Sequence, residues 1–524
     1  MSDLTPPQTA SQSSDETAQL RRWMYTLLIA VAVGAGIGRI LNAERVYEPT
    51  MYADPTDPED KRGTWPDTRP PSYPTFSSND RSRWATIRTL IDHGTFVIGE
   101  REVFSEEKAE EVGEKWREKN TWHEDWPKDK DGKYAGFDNG WDTVDKVLHP
   151  KTHKFYSTKP PLLTTLLAGL YWLLQLITQW TLADNVWLVV RTMLILVNVL
   201  PFALYLGLLA VLVERYCENN WSRLVIMTMA TFGTLVTPFL VTLNNHTMAT
   251  FSILFALYPV MPILFRQDAQ ENQTPGIMPF LISGLFAAFA ACNEAPAAAF
   301  TAVLGLLLLW RYPLQTLIFY LPATLLIAAA FFLTNYLAIG EWTPVQWRFG
   351  NEWYMFEGSH WAKPPELQNG IDFASKKKYG ETHLIYAFHV FLGHHGIFSL
   401  TPIWLLAFVG MGVGAAKKTG SRLSWLFFAM AALLSVVVIS FYLTVSSRNY
   451  GGYTCGLRWL MWLTPLWLLS LIPVLNGLSK TNWGKWVTYV FLTASVLSVA
   501  YPAWNPWRHP WLLRWMQDMG WVLY

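Results

Sequence analysis

The sequence predicts an all-α polytopic membrane protein, a bundle of about thirteen transmembrane helices with one long polar loop after the first. Three observations carry this. Apolar residues make up 51% of the 524-residue chain and charged residues only 15%, against about 25% charged in a soluble globular chain. Charge is absent from long stretches of the length that a crossing needs, about 20 residues, and gathers in a tail, one large loop and short connections. The 28 Trp residues suit a membrane protein, because Trp favours the bilayer interfaces. The same composition sets other classes aside. A net charge of +1 with no basic stripe gives no reason to expect nucleic acid. Cys217, Cys292 and Cys455 lie in or beside apolar segments without metal-like spacing, so neither a disulfide framework nor a cysteine zinc site is expected.

Residues 1–22 read as a disordered cytoplasmic tail, too poor in large apolar side chains to fold. Residues 23–41 read as the first transmembrane helix rather than a cleaved signal, because the polar leader is longer than a signal peptide needs. Arg21 and Arg22 place the N-terminus in the cytoplasm. Residues 42–158 form an outer, periplasmic loop, with Pro clusters from Pro66 to Pro74 and a charged stretch from Glu100 to Lys133. Juxtamembrane helices are expected at Arg81–His93, where Trp84, Ile87 and Leu90 or Ile91 share a face, and at Ser105–Lys119. A transmembrane bundle follows over 160–338, then a second outer loop over 339–396 and a second set of spans over 397–502. Residues 503–524, with Trp504, Trp507, Trp511, Trp515 and Trp521, read as an interfacial C-terminal segment.

Basic residues orient the spans. Arg215, Arg223, Arg266, Arg311, Lys417, Lys418, Arg422, Lys480 and Lys485 fall in connections that should share the cytoplasmic side. Parity then leaves two arrangements. Either 184–215 is two crossings broken near Pro201, giving thirteen spans, or 160–179 is re-entrant, giving eleven spans and a half-helix. Thirteen is the expectation. The loops 42–158, 339–396, 446–456 and 503–524 all fall on the outer side, which is where polar chemistry should sit.

Four motifs lie there: Asp80 to Ala85 at the start of the first loop helix; Tyr156 to Leu162 at the mouth of the second span; Asn244-Asn245-His246 together with Glu294; and Tyr450 to Arg458. The order of the first two resembles the GT-C superfamily of polyprenyl-phosphate-sugar-dependent membrane glycosyltransferases, and in particular the lipid A aminoarabinose transferases and protein O-mannosyltransferases. Asp80, Arg83, Trp84 and Ala85, then Gly94-Thr95-Phe96, match the opening of that family's outer loop. Lys159 to Leu162 match its Lys-Pro-Pro-Leu, and Arg191 matches an Arg in the following apolar stretch. Thr158 stands where the aminoarabinose transferases carry Glu, and Asn245 and His246 where they carry Thr-Asp, so the family's sugar is not carried over.

The resemblance implies a GT-C bundle and an inverting transfer of sugar from a polyprenyl-phosphate donor to a hydroxyl of a lipid, glycan or protein acceptor, on the outer face of the cell inner membrane. That chemistry needs a base for the incoming hydroxyl, which contributes roughly 10²–10⁴-fold. It also needs cations for the departing phosphate and an apolar groove for the lipid. Asp80 is the expected catalytic base, a role compatible with capping its helix. Arg83, one turn on, shares its face. Lys159 at an interfacial helix start and Arg458 after Gly451, Gly452 and Gly456 are expected phosphate ligands. Arg191, His246 and Glu294 complete the expected substrate-binding set, since charge inside the apolar zone is costly and usually paired or functional. No cofactor is expected: no visible motif requires a divalent metal, and the His394-His395 pair has no carboxylate at useful spacing. No Gly-rich nucleotide loop is present, which argues against direct use of a nucleotide sugar. A transporter or flippase of a lipid-linked saccharide is the alternative. Broken helices and the charges Arg191 and Glu294 suit it, while the long outer loop and the lack of an internal repeat do not.

Overall fold

The computed structural model describes residues 9–45, 69, 72–120, 143–265, 275–362, 381–416, 423–444 and 448–522. Arg266, Lys417, Lys418, Arg422 and Pro66, and parts of both large loops, lie outside the described residues. Helix α1 runs over Thr9–Asn42, so the expected tail is helical from Thr9. Extending an existing apolar helix adds one hydrogen bond per residue without the cost of a new nucleus.

The first loop is not all helix. Helix α2 (Ser78–Asp92) is as expected, and its residues Asn79 to Thr89 are all buried; it packs into the bundle rather than on the membrane surface. A four-stranded antiparallel sheet follows, β1 (Gly99–Val103), β2 (Trp116–Asn120), β3 (Lys146–Leu148) and β4 (Lys154–Ser157), in the order β2-β1-β4-β3. The sheet corrects the all-α expectation. The helix expected over Ser105–Lys119 is only α3 (Glu106–Val112), ended by Gly113 at φ 73°. Beyond it Arg101 faces Glu118 across the ladder at 2.7 Å and lies 3.9 Å from the centre of the Trp116 ring. These cross-strand pairs favour the strand over a continued helix. A small apolar core of Val147, Tyr156, Ile339, Val345, Trp353 and Tyr354 joins the sheet to the second loop.

Among the described residues seven helices are long and apolar enough to cross a membrane, or eight if the bent pair Arg458–Ser470 and Ile472–Leu478 is one span. They include α4 (Pro161–Thr178), α5 (Val186–Tyr216), α6 (Asn220–Phe239), α7 (Asn245–Leu264), α10 (Pro313–Ile339) and α13 (Trp425–Thr444). Between them lie the shorter apolar helices α8 (Met278–Asn293), α9 (Ala298–Arg311) and α12 (Trp404–Ala415), and α11 (His383–Phe391) in the second loop. Thirteen crossings are not confirmed among the described residues. One reason is that α5 continues through Pro201. Proline has no N–H to donate and crowds the preceding turn; Ile195–Val199 widens to a π turn in which Leu200 N–H reaches the Ile195 carbonyl, and the ring is accommodated. The same device precedes Pro322, where Leu321 N–H reaches the Thr316 carbonyl.

Helices α1 and α5 run antiparallel. Arg21 pairs with Glu214 at one end, and Gly36 faces Val199 further along. Val186 therefore starts on the side of Asn42. Helix α4 begins beside α2, and halfway along it the Tyr171 hydroxyl accepts the Leu182 N–H at 2.8 Å. So α4 starts and ends on that loop side. At the opposite end Arg223, Asn219 and Asn476 meet, with Asn219 Nδ2 donating to Asn476 Oδ1 at 3.0 Å. The C-terminal Trp cluster also divides: Trp511, Trp515 and Trp521 are exposed, whereas Trp507 is buried in the bundle.

Close approach of α12 to the bent pair depends on Gly410, where an added Cβ would stand 1.9 Å from the Ser470 carbonyl oxygen, a backbone atom. Overpacking of this kind costs about 1–3 kcal/mol. Gly410→Ala is expected to lower the thermal unfolding midpoint of the detergent-purified chain, whereas Gly412→Ala, with nothing within 4 Å of the new methyl, leaves it in place; equal midpoints for the two variants refute the packing account.

Candidate functional site

Three separate segments deliver polar side chains to one place. The first is the N-terminal turn of α2. Ser77 caps it, and Asp80 closes the capping box: its Oδ1 accepts the Ser77 N–H at 2.9 Å and its Oδ2 the Phe76 N–H at 3.1 Å. Asp80 is 1% exposed. Burial raises its carboxyl above the usual range against the pull of these backbone donors. Arg83, one turn on, points the other way. Its Nη1 donates to the Asn79 carbonyl at 2.7 Å, and its Nη2 donates to Asn245 Oδ1. Burial pushes the guanidinium down to about 10, with Asp145 opposing.

The second segment is the β3–β4 hairpin. Lys146 pairs with Ser157, which sets Asp145 opposite Thr158 just beyond the ladder. Asp145 Oδ1 accepts Lys159 Nζ at 2.7 Å and Thr158 Oγ1 at 3.2 Å. The Asp145 carbonyl accepts Ser82 Oγ from α2 at 2.8 Å, and Gln346 Nε2 donates to the Thr158 carbonyl at 2.8 Å. Burial alone would raise the Asp145 carboxyl, but Lys159, by charge and hydrogen bond, and then Arg458 and Arg83 outweigh it and hold it below the usual range. Burial lowers Lys159, with Asp145 opposing.

The third segment is the bundle itself. Asn244 caps α7 by accepting the Thr247 N–H at 2.9 Å. Asn245, next to it, donates to the Asn293 carbonyl at 2.9 Å and to Glu294. Glu294, at the break between α8 and α9, pairs with His246. Arg458 sits 4.8 Å from the centre of the Trp507 ring, and its Nε and Nη1 are buried without a hydrogen-bond partner among the described residues.

Arg83, Asp145, Lys159, His246, Glu294 and Arg458 line the polar end of one cavity of about 1570 Å³. The rest of its wall is largely apolar and follows α8 to α10, including the exposed side chains of Leu306, Leu309, Leu317 and Leu321. The cavity is thus a groove with an ionic head and an apolar flank. Three cations face two carboxylates at its head, an arrangement that favours an anion.

Of the residues expected from sequence, Arg83, Lys159, His246, Glu294 and Arg458 meet here. Two do not. Asp80 is absent from the cavity wall, and both its oxygens accept backbone N–H groups of the cap. Arg191 lies 4.5 Å from the centre of the Trp187 ring on its own helix, one turn away, and is absent from the cavity wall. Asp145 was missed, since only the strand register places it near Lys159, and Trp507 was read as interfacial.

No family model matches the chain, and no curated protein matches it. Solved structures align with it at low identity. An Archaeoglobus fulgidus oligosaccharyltransferase in the apo form aligns at 11% identity over 95% of this chain and 57% of that one, with a TM-score of 0.46. The Archaeoglobus fulgidus oligosaccharyltransferase AglB in complex with an inhibitory peptide and a dolichol-phosphate aligns at 10% identity over 95% and 58%, with a TM-score of 0.43. A complex of the former enzyme with Zn and sulfate aligns at 12% identity over 70% and 47%, with a TM-score of 0.37. The chain spans little more than half the length of the first of these, and the reading of its activity rests on its own residues.

The expectation that nothing visible calls for a metal is corrected. Among the described residues Glu381, His389 and His394 are buried with potential ligand atoms all within 4.8 Å of one another. Glu381 is the carboxylate that the histidine pair lacked in sequence, at 3.3 Å from His394.

A buried donor without a partner costs about 1–3 kcal/mol, and Arg458 also carries the excess positive charge of the cluster. Arg458→Met is therefore expected to raise the thermal midpoint of the ligand-free protein while weakening retention of an added phosphomonoester lipid. A lowered midpoint with unchanged lipid retention would sink this assignment.

Proposed function

We propose that the chain is a GT-C-type glycosyltransferase that moves a sugar from a polyprenyl-phosphate donor to an acceptor hydroxyl, with inversion, on the outer face of a cell membrane. The carrying observation is the convergence of Arg83, Lys159 and Arg458 at the head of a groove whose apolar flank opens sideways along α9 and α10. A lipid phosphate is the ligand that satisfies both parts: cations for its headgroup and apolar wall for its tail. The basic residues Arg21, Arg22, Arg215, Arg223, Lys480 and Lys485 belong to the opposite end of the bundle, which supports the outer-face assignment and a cytoplasmic N-terminus.

Transfer requires the acceptor oxygen to bond the anomeric carbon as the bond from that carbon to the phosphate oxygen breaks. The phosphate leaves into the field of the three cations. The hydroxyl proton goes to a carboxylate. Asp145 takes that role in place of Asp80, because it lines the groove, is held ionised by Lys159, and its Oδ2 makes no hydrogen bond among the described residues. Glu294, engaged by Asn245 and His246, positions these two beside Arg83.

The reconstituted protein, supplied with polyprenyl-phosphate sugars carrying a radiolabel, should transfer label to an acceptor. Asp145→Asn should reduce that rate roughly 10²–10⁴-fold. Asp80→Asn keeps a hydrogen-bonding cap and should retain most of the rate. The opposite ranking would return the base to Asp80; lipid scrambling without transfer would favour a flippase.

A further inference from the structure

Behind the groove wall at Asn449 lies a second polar cluster that the transfer chemistry does not use. We propose that Glu381, His389 and His394 form a zinc site, with a water in the fourth position. All three are buried, and none lines the groove. His394 Nε2 stands 3.3 Å from Glu381 Oε1. Two ligands bound at about 2.0–2.1 Å to a tetrahedral ion stand about 3.3 Å apart, so this pair already has the required span. Two imidazoles and one carboxylate suit zinc, whereas calcium and magnesium favour oxygen donors.

The surroundings orient the ligands as metal sites require. Tyr450 Oη donates to Glu381 Oε2 at 2.5 Å and fixes the carboxylate with Oε1 toward His394. His394 Nδ1 abuts His395 Nδ1, a contact that needs one proton. A proton on His394 Nδ1 puts the lone pair on Nε2, the nitrogen that faces Glu381. His389 Nδ1 accepts the His394 N–H at 3.3 Å; ligation through this nitrogen uses the same lone pair, so that long hydrogen bond gives way to the ion. The two rings stack at 3.8 Å, and splaying them around the ion is the local movement that binding entails.

The consequence is mechanical rather than catalytic. Arg448 donates to the Glu381 carbonyl, and Tyr386 Oη donates to the Asn449 carbonyl at 3.0 Å. Asn449 lines the groove, and its Oδ1 accepts the Gly451 N–H at 2.7 Å and the Gly452 N–H. The ion would fasten Glu381 and the end of α11 into one unit with the loop that enters Arg458. This holds whether or not the groove transfers sugar.

The full chain, purified in detergent from zinc-supplemented cells, should carry about one zinc per chain by elemental mass spectrometry. Cobalt substitution should give the visible bands of a tetrahedral ion. Chelation should lower the thermal midpoint, and zinc should restore it. His389→Gln and His394→Gln should each lose the metal while still eluting as monodisperse protein, and Gly412→Ala should keep it. Metal-free wild type whose midpoint does not respond to added zinc overturns the proposal. Equal zinc in wild type and both His variants overturns it too, as an adventitious ion only. Loss of transfer in Asp145→Asn with zinc retained would separate this site from the proposed reaction.

Discussion

Holding positive charge inside a largely apolar bundle is the constraint on which the other features depend. Arg83, Lys159 and Arg458 are withdrawn from bulk water, and each such charge costs several kcal/mol unless it is paired and hydrogen-bonded. The compensating groups come from far along the chain: Asp145 from a β-hairpin, Asn245 from a helix start, Glu294 from a helix break. None of these is near Arg83 in sequence, so the bundle must close correctly before any of the charges is tolerated. This explains why a membrane protein carries a small soluble-type sheet. The antiparallel register Lys146↔Ser157 places Asp145 beside Thr158 and Lys159, and a slip of one residue would turn the carboxylate to the other face.

Much of the site was legible in sequence, for reasons that are local. Charges such as Glu294 and Arg458 stand out in apolar surroundings, and Lys159 marks a helix entrance through its following prolines. The helix over Ser78–Asp92 announced itself by the spacing of Trp84 and Ile87. What was illegible depended on pairing across distance. Asp145 sits in a charged loop with no periodicity, and only a ladder makes it the neighbour of Lys159. Glu381 and His394 are separated by a helix that folds back, so their spacing of 13 residues resembles no ligand motif. For Asp80 the sequence leaves two roles open, because a capping carboxylate and a reactive one share the same sequence position. The widened turns before Pro201 and Pro322 were equally hidden: proline signals a break, and an extra residue in the preceding turn removes the need for one.

The cavity head leaves one cation more than it has carboxylates. A protein optimised for stability alone would replace Arg458 by an apolar side chain. Its retention over the Trp507 ring, with donors left unmet, is the kind of unfavourable arrangement found where a ligand completes the structure. The aromatic platform holds the guanidinium in place while its hydrogen-bonding capacity stays open.

The sideways opening of the groove along α9 and α10 changes what concentration means for this molecule. Leu306, Leu309, Leu317 and Leu321 line the groove and are exposed apolar side chains. A tailed substrate that enters there never leaves the bilayer plane, and its search is two-dimensional. Occupancy then follows the mole fraction of the lipid among its neighbours, not its amount per volume of buffer. Diluting the substrate with inert phospholipid, at constant total substrate and protein, starves such a protein; adding water does not.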